Sequence, residues 1–535
     1  MRCIHRVRFI LLTFILWGVL GSCKGLKTPV PPASPAFPLI VSSTPINTPT
    51  VLSIEATAAP LLSLPAQVSA TLSPHAPLPS SSTPSSTSFL QISTHHTLYT
   101  LSATLDYAAH SLSVEEHVVY RNDTPSHLAY VSLVVEPARY PGAFHLTSLS
   151  WEDGSRITQY QLREFQLTLN LTRPLPPGEF LKFSLTYTLK LPDTSKLANL
   201  RPYPFGYTYM QTNLGDWYPF IPPYDEQKGW LIHEPGFYGE HLVYDIADFD
   251  VDIHLTGEQT DLVLAASAPV QIEGDHLHYH HPAARNFAWS VSPHYQVITQ
   301  TVEIPGSSPI TVSSYFFPFY EQAGERIAST IALALPLYSR LFGVEYTHPL
   351  FSAVQADFLD GMEYDGMFFL SKDFYNWFNG STQDFLVALT AHETAHQWFY
   401  GLVGNDQAME PWLDEAMCTY SERLFYENLF PESLDWWWSY RIHYYQPKGW
   451  VDTDIYDTPQ VAGQYRAYRD AVYLNGAIFL EELRTHIGDQ AFFGALRNYL
   501  SQYRYGQGTT AGFFENLSRF SDMNLESLLD QYFSP

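Results

Sequence analysis

Apolar and polar side chains alternate in TLYTLSATLDY, SLSVEEHVVYRN, FQLTLNLT, FLKFSLTYTLKL and DFDVDIHLTG, all within residues 97–300. A period of two marks strands with one buried face, and LPPGE at 175–179 supplies a turn between two of them. Residues 97–300 are therefore expected to form one mainly antiparallel, sandwich-like β domain. The period then lengthens. GERIASTIALALPLYSRLFG (324–343) repeats apolar residues at helical spacing, and a strand-like FSAVQADFLDGMEYDGMFFLS follows. Longer helical stretches complete the chain: STQDFLVALTAHETAHQWFYG, PWLDEAMCTYSERLFYENL, YRAYRDAVYLNGAIFLEELRTHIG and DQAFFGALRNYLSQYR. Strands first and helices later predict an all-β domain followed by an α+β domain over 301–535.

Ahead of the strands there is no period at all. From Leu26 to about Ser88 the chain is dominated by Pro, Ser, Thr and Ala, with Lys27 and Glu55 the only charges. Such a segment cannot build a core, so residues 23–96 are expected to form an unfolded tether. MRCIHRVR and the apolar FILLTFILWGVL precede it. That run is shorter than the roughly 20 residues of a spanning helix, and residues 1–22 have the form of a signal peptide. Its end, LGSC, resembles the lipobox of bacterial lipoproteins. This implies a lipid on Cys23 and an exported body anchored on the extracytoplasmic side of a membrane. An ordinary signal peptide with a coincidental cysteine is the alternative.

Composition narrows the function. With 54 acidic against 28 basic residues the formal charge is -26, which argues against nucleic acid as a partner, since phosphate binding needs a basic surface. Of the three cysteines only Cys418 falls within the expected folded part, so no disulfide framework is available there. It reads as a small buried thiol. HLHYHH (276–281) would put His276, His278 and His280 on one strand face, and a solvated strand edge is the expectation.

The chemistry lies in HETAHQWFYG (392–401). With Thr382 as N-cap and Gly401 as stop, His392 and His396 stand four residues apart on one helix face, about 6 Å along the axis. Two imidazoles at that spacing can share one zinc ion. Glu393, about 100° round the helix, can act as base on a water at the metal without being a ligand. A catalytic zinc usually has three protein ligands, and Glu415 in PWLDEA, on the next helix with Pro411 near its first turn, is the candidate for the third.

HETAHQWFYGLVGNDQAMEPWLDEAMCTY resembles the zinc signature of the aminopeptidase N and leukotriene hydrolase family of metallopeptidases (gluzincins). Asp414 and Ala416 stand where that family usually has Asn and Gly. The resemblance implies a thermolysin-like catalytic domain, one Zn2+ ion, and peptide substrates with a free N-terminus. GMEYDG (361–366) resembles the family segment whose Glu binds the substrate's α-ammonium, which makes Glu363 the matching residue and puts Gly361 and Met362 beside the substrate. The neighbouring acids Asp360 and Asp365 are expected to face solvent, with cation binding the alternative. Tyr473 in AVYLNGA resembles the family tyrosine that steadies the oxyanion, although Asn475 replaces the common Lys. Gln211 in TYMQTNL resembles a glutamine that lines the first substrate pocket. Family members often add a helical C-terminal domain, and this chain is expected to lack one, leaving a more open site. The expectation is a zinc aminopeptidase. A zinc endopeptidase with an open cleft, or a binding protein on a retired peptidase fold, are the alternatives.

Overall fold

The computed structural model describes residues 95–197, 203–257, 261–459, 461 and 464–535. The expected leader over 1–22, nearly all of the expected tether over 23–96, and Cys23 lie outside the described residues. The alternating segments become strands Thr97–Asp106, Ser111–Arg121, Phe180–Lys190 and Ala247–Thr256 of a seven-stranded sheet. Tyr99, Leu101, Ala103 and Leu105 of the first are buried while Thr100, Ser102 and Thr104 between them are exposed, as a pleat with one wet face requires. A three-stranded, a four-stranded and a small two-stranded sheet complete this β part among the described residues. Leu101, Leu133, Leu167, Trp217, Phe249 and Val291, drawn from across the part, share one core.

One pairing differs from the antiparallel expectation: Thr97–Asp106 runs parallel to Ala247–Thr256. Alternation has the same period in both arrangements and cannot tell them apart. The HLHYHH strand, His276–Ala284, is not an edge, because Val270–Glu273 pairs outside it. His276 and His280 meet Asp252 at 2.6 Å and Asp250 at 2.7 Å on the adjoining strand. Those acids are distant in sequence and adjacent only through strand pairing.

The second part is built on a five-stranded sheet in the order Gln296–Val302, Ile310–Phe316, Leu350–Ala356, Met367–Ser371, Gly361–Tyr364. The expected boundary at 300 thus falls inside a strand of this sheet. Gly361–Tyr364 is its edge strand, paired among the described residues only with Met367–Ser371. Helix α1 (Glu321–Phe342) lies in the chain between Ile310–Phe316 and Leu350–Ala356, and α2 (Lys372–Trp377), α3 (Phe385–Ala395) and α4 (Glu415–Leu429) come after the last strand. α1 buries Ile327, Ile331, Leu335, Tyr338 and Phe342 along one stripe, and Gly343 ends it in the left-handed conformation.

Helix α3 is shorter at both ends than its sequence suggests. Asp384, not Thr382, is the N-cap, its carboxylate accepting from the Leu386 amide at 2.9 Å. The helix stops at Ala395, with His396 as C-cap. Tyr400, at φ +130°, has left helical geometry before Gly401 is reached. The expected helix around 465–488 is continuous but contains a π-helical turn, Asp470–Asn475, between Tyr465–Arg469 and Gly476–Ile487. The wider turn carries Tyr473. Gly476 packs where a Cβ would strike Ala416 on α4, so these two small residues set the closeness of the two helices.

Candidate active site

His392 and His396 face Glu415 across the contact between α3 and α4. His392 Nε2 is 3.2 Å from both Glu415 Oε2 and His396 Nε2, and His396 Nε2 is 3.7 Å from Glu415 Oε2. A tetrahedral ion with bonds of about 2.0–2.1 Å separates its donors by roughly 3.3–3.4 Å, so the three atoms fit one metal ion. Tautomers support the fit. His392 Nδ1 is 3.1 Å from Glu422 Oε1, and His396 Nδ1 is 3.2 Å from the Phe399 carbonyl. With both Nδ1 protons donated to those acceptors, the two Nε2 lone pairs face each other, an arrangement that a cation between them resolves. Glu422 is held in turn by Arg441, at 2.7 and 2.8 Å, and by Trp437 Nε1 at 2.9 Å. Burial opposes its charge, yet Arg441 and His392 keep Glu422 below the usual carboxylate range.

Glu393 projects into the cleft beside the edge strand. A Cβ on residue 361 would meet its carboxylate, so strand and base lie in close contact at this glycine. Glu393 Oε2 has no hydrogen-bond partner among the described residues, and burial raises Glu393 to about 8. Glu363, on the same strand, is buried and accepts from Gln407 Nε2 at 2.9 Å; Met362 lines the cleft next to it. Tyr473 donates to Glu415 Oε1 at 2.5 Å, and its ring lies parallel to that of His392. Burial, with Glu415 adding, pushes the phenol up, so it stays an O–H donor.

One carboxylate in the cleft has no counterpart in the sequence reading. Glu240 comes from a loop of the β part, and its oxygens and those of Glu363 and Glu415 offer three ligand atoms within 4.8 Å of one another. Its Oε2 has no hydrogen-bond partner among the described residues. Burial raises Glu363 well above the usual range, and Glu240, Glu415 and Glu393 add to it. Burial and Glu240 likewise push Asp414, the N-cap of α4, up to about 8. This is a pocket of crowded negative charge, suited to cations.

Gln211 is a correction. It is fully buried away from the cleft, donating to Asn213 Oδ1 at 2.9 Å and Tyr295 at 2.6 Å and accepting from the Asp357 amide at 2.6 Å. Its hydrogen-bonding capacity is spent on joining the β part to the second sheet. The neighbouring acids also differ from expectation. Asp365 is buried, meeting His348 Nε2 at 2.8 Å and the Arg285 amide at 2.9 Å. Asp360 is half-buried and lines the cleft at φ +60°. Arg285 is a further residue that the sequence reading missed. Wholly buried, it reaches from the β part to the carbonyls of Tyr400 at 3.0 Å, Gly401 at 3.1 Å and Gly506 at 2.7 Å, bracing the turn that follows His396. Cys418 is a free, buried thiol, as expected.

Residues 328–532 match the model of the peptidase family M1 domain. Over that segment the chain is similar to the M1 peptidases. It is 26% identical over 235 residues to aminopeptidase 2 of Candida albicans, an alignment taking 41% of this chain and 25% of that protein. With the mitochondrial aminopeptidase 2 of Saccharomyces cerevisiae it shares 27% over 241 residues, 41% of this chain and 24% of that one. The chain thus spans about a quarter of the length of the curated relatives it matches. The M1 zinc metallopeptidase of Deinococcus radiodurans has a similar structure, with a TM-score of 0.58 at 16% identity over 82% of this chain and 96% of that one. A mutant of that protein, solved with a Tyr-Ser-Ala substrate, gives 0.58 at 17% over the same shares. At such identity the likeness is one of fold: a β-rich part followed by a helical catalytic part, as in two-domain M1 structures.

Proposed function

We propose that this chain is a zinc-dependent aminopeptidase that removes residues from the free N-terminus of peptides. The observation that carries the reading is the meeting of Glu240 and Glu363, at an open edge strand, with the His392–His396–Glu415 triad. An α-ammonium between those two carboxylates forms charge-assisted hydrogen bonds, and the substrate backbone adds to the edge strand Gly361–Tyr364. His392, His396 and Glu415 would hold the zinc, with Glu422 and the Phe399 carbonyl fixing the imidazoles. When bound, zinc supplies Lewis acidity for the scissile carbonyl and lowers the pKa of water. Glu393 accepts a proton from the attacking water through its unpartnered oxygen and passes it to the leaving amine. Tyr473 donates its O–H to the developing oxyanion. We further propose that the body is exported and held at a membrane by a lipid on Cys23, a reading supported by the LGSC end of the leader.

One peptide in two forms, free and N-acetylated, tests the reading by mass spectrometry. Stepwise loss of residues from the free form alone is expected. Internal cleavage of both forms would replace it with an endopeptidase and remove the amine-binding role of Glu363 and Glu240. If zinc-loaded protein cut neither form of a broad set of peptides, the binding-protein alternative would stand instead.

A further inference from the structure

Phe385, Leu389 and Glu393 are spaced four residues apart on α3, so they share one face of the helix, and all three line the cleft. Phe385 stands about 12 Å from Glu393 along the axis, whereas an extended peptide advances roughly 3.3 Å per residue. With its amine at Glu363 and Glu240 and its scissile carbonyl beside Glu393, a peptide running along this face passes Phe385 with about the third or fourth residue beyond the cleaved bond.

From Phe385 the apolar surface continues outwards. Its ring meets Trp436 edge-on at 5.9 Å, and Trp436 stacks on Tyr440 at 6.4 Å. Tyr440 is 57% exposed. Both residues lie beside Arg441, in the segment that holds Glu422, so the track is anchored to the metal-site scaffold. Aromatic rings of this kind bind apolar side chains while keeping a polar edge in water, and an exposed apolar strip continuous with a cleft marks a binding surface.

We propose that Leu389, Phe385, Trp436 and Tyr440 form an extended subsite for the downstream residues of the substrate. It selects peptides of about five residues or more that carry an apolar side chain at the third or fourth place past the cleaved bond. The inference rests on the aminopeptidase reading for its direction. Arg469 also lines the cleft, its guanidinium 4.2 Å over the Tyr445 ring, and as a stop for a terminal carboxylate it would favour the shortest peptides instead. Arg469 is already paired with Asp470 at 2.5 Å, and the track leads to a surface open to a longer chain.

The test is binding of a dipeptide, a tripeptide, a pentapeptide and a heptapeptide to zinc-loaded Glu393→Gln protein by calorimetry. Each of the longer peptides carries either Phe or Gly at the third and fourth downstream places. Affinity is expected to rise about tenfold, near 1.4 kcal/mol, from dipeptide to Phe-bearing pentapeptide, and not for the Gly series. Adding Trp436→Ala or the surface change Tyr440→Ser should cut the gain to less than about twofold, and Tyr440→Phe should restore it. Equal affinity at all lengths, or a gain that survives both variants, overturns the proposal. So does a dipeptide preference that C-terminal amidation abolishes, which would assign the far end to Arg469. Wild-type turnover of the same peptides is read separately. Absent turnover with aromatic-dependent binding removes the aminopeptidase reading and keeps the track; turnover with flat binding does the reverse.

Discussion

The cleft has two walls that are made in different ways. One is α3 against α4, where His392, Glu393, His396, Glu415 and Glu422 sit at fixed helical spacings. The other is the loop of the β part that delivers Glu240. That loop is held by contacts distant in sequence: Tyr238 bonds to Thr458 and to the Pro459 carbonyl, and Gly239, at φ +75°, lies where any Cβ would strike Ile455. A helix fixes its side chains relative to one another by local geometry alone, so chemistry carried on it is written in short spacings. A loop gains its position only from what it packs against, and its chemistry is visible only once the chain has folded.

If the helical wall carries the bond-breaking step, Glu393→Gln produces the largest effect in the protein. General acid–base catalysis contributes about 10²–10⁴-fold, so a loss of about that size in kcat is expected while the zinc content stays at one ion per chain. Metal analysis beside peptide turnover checks both halves. Turnover near the wild-type rate would break the comparison at its root, since the base would then lie elsewhere.

The loop wall is sharpened by Glu240→Gln, which keeps shape and removes charge. Hydrogen bonds to charged groups are worth about 1.5–3 kcal/mol, so kcat/KM should fall roughly ten- to a hundredfold, mainly through KM, because the lost interaction holds the amine before reaction. The acetylated peptide should be unaffected by the change. An unaltered KM for free peptides would reduce this loop to scaffold and leave Glu363 as the sole anchor.

The same contrast explains what the sequence revealed. The clustering of His392, His396 and Glu415 beside Glu393 was legible because four-residue spacing on one helix, followed by a carboxylate on the next, leaves few geometries. Glu422 could have been read the same way, since it lies seven residues after Glu415 on α4 and so on nearly the same face. The strand faces of the β part were legible through alternation, whereas the parallel pairing of Thr97–Asp106 was not, because period two carries no direction. Asp365 was misjudged as solvent-facing for a related reason. Its partners, His348 and the Arg285 amide, come from separate segments, and an acid beside a glycine turn looks exposed until they arrive. Glu240 and Arg285 offered no spacing to read.

Gln211 gives the smallest expected effect and the cleanest division between the walls and what stands behind them. It resembled a pocket residue in sequence, yet its amide is wholly engaged with Asn213, Tyr295 and the Asp357 amide. Gln211→Leu would leave the half-buried Asp357 amide without its acceptor, at about 1–3 kcal/mol, while Ser290 Oγ still bonds Tyr295 and Asn213. In a body of more than 400 residues, at about 2.1 cal/mol/K of unfolding entropy per residue, each kcal/mol lowers the unfolding temperature by only about 1 °C. The variant should therefore melt about one to three degrees earlier, while its kcat/KM, measured well below that transition, stays within about twofold of wild type, the scale of a change away from substrate. A large rise in KM with an unshifted melting temperature would instead put Gln211 against the substrate, and the β part would then contribute a second residue to the first pocket.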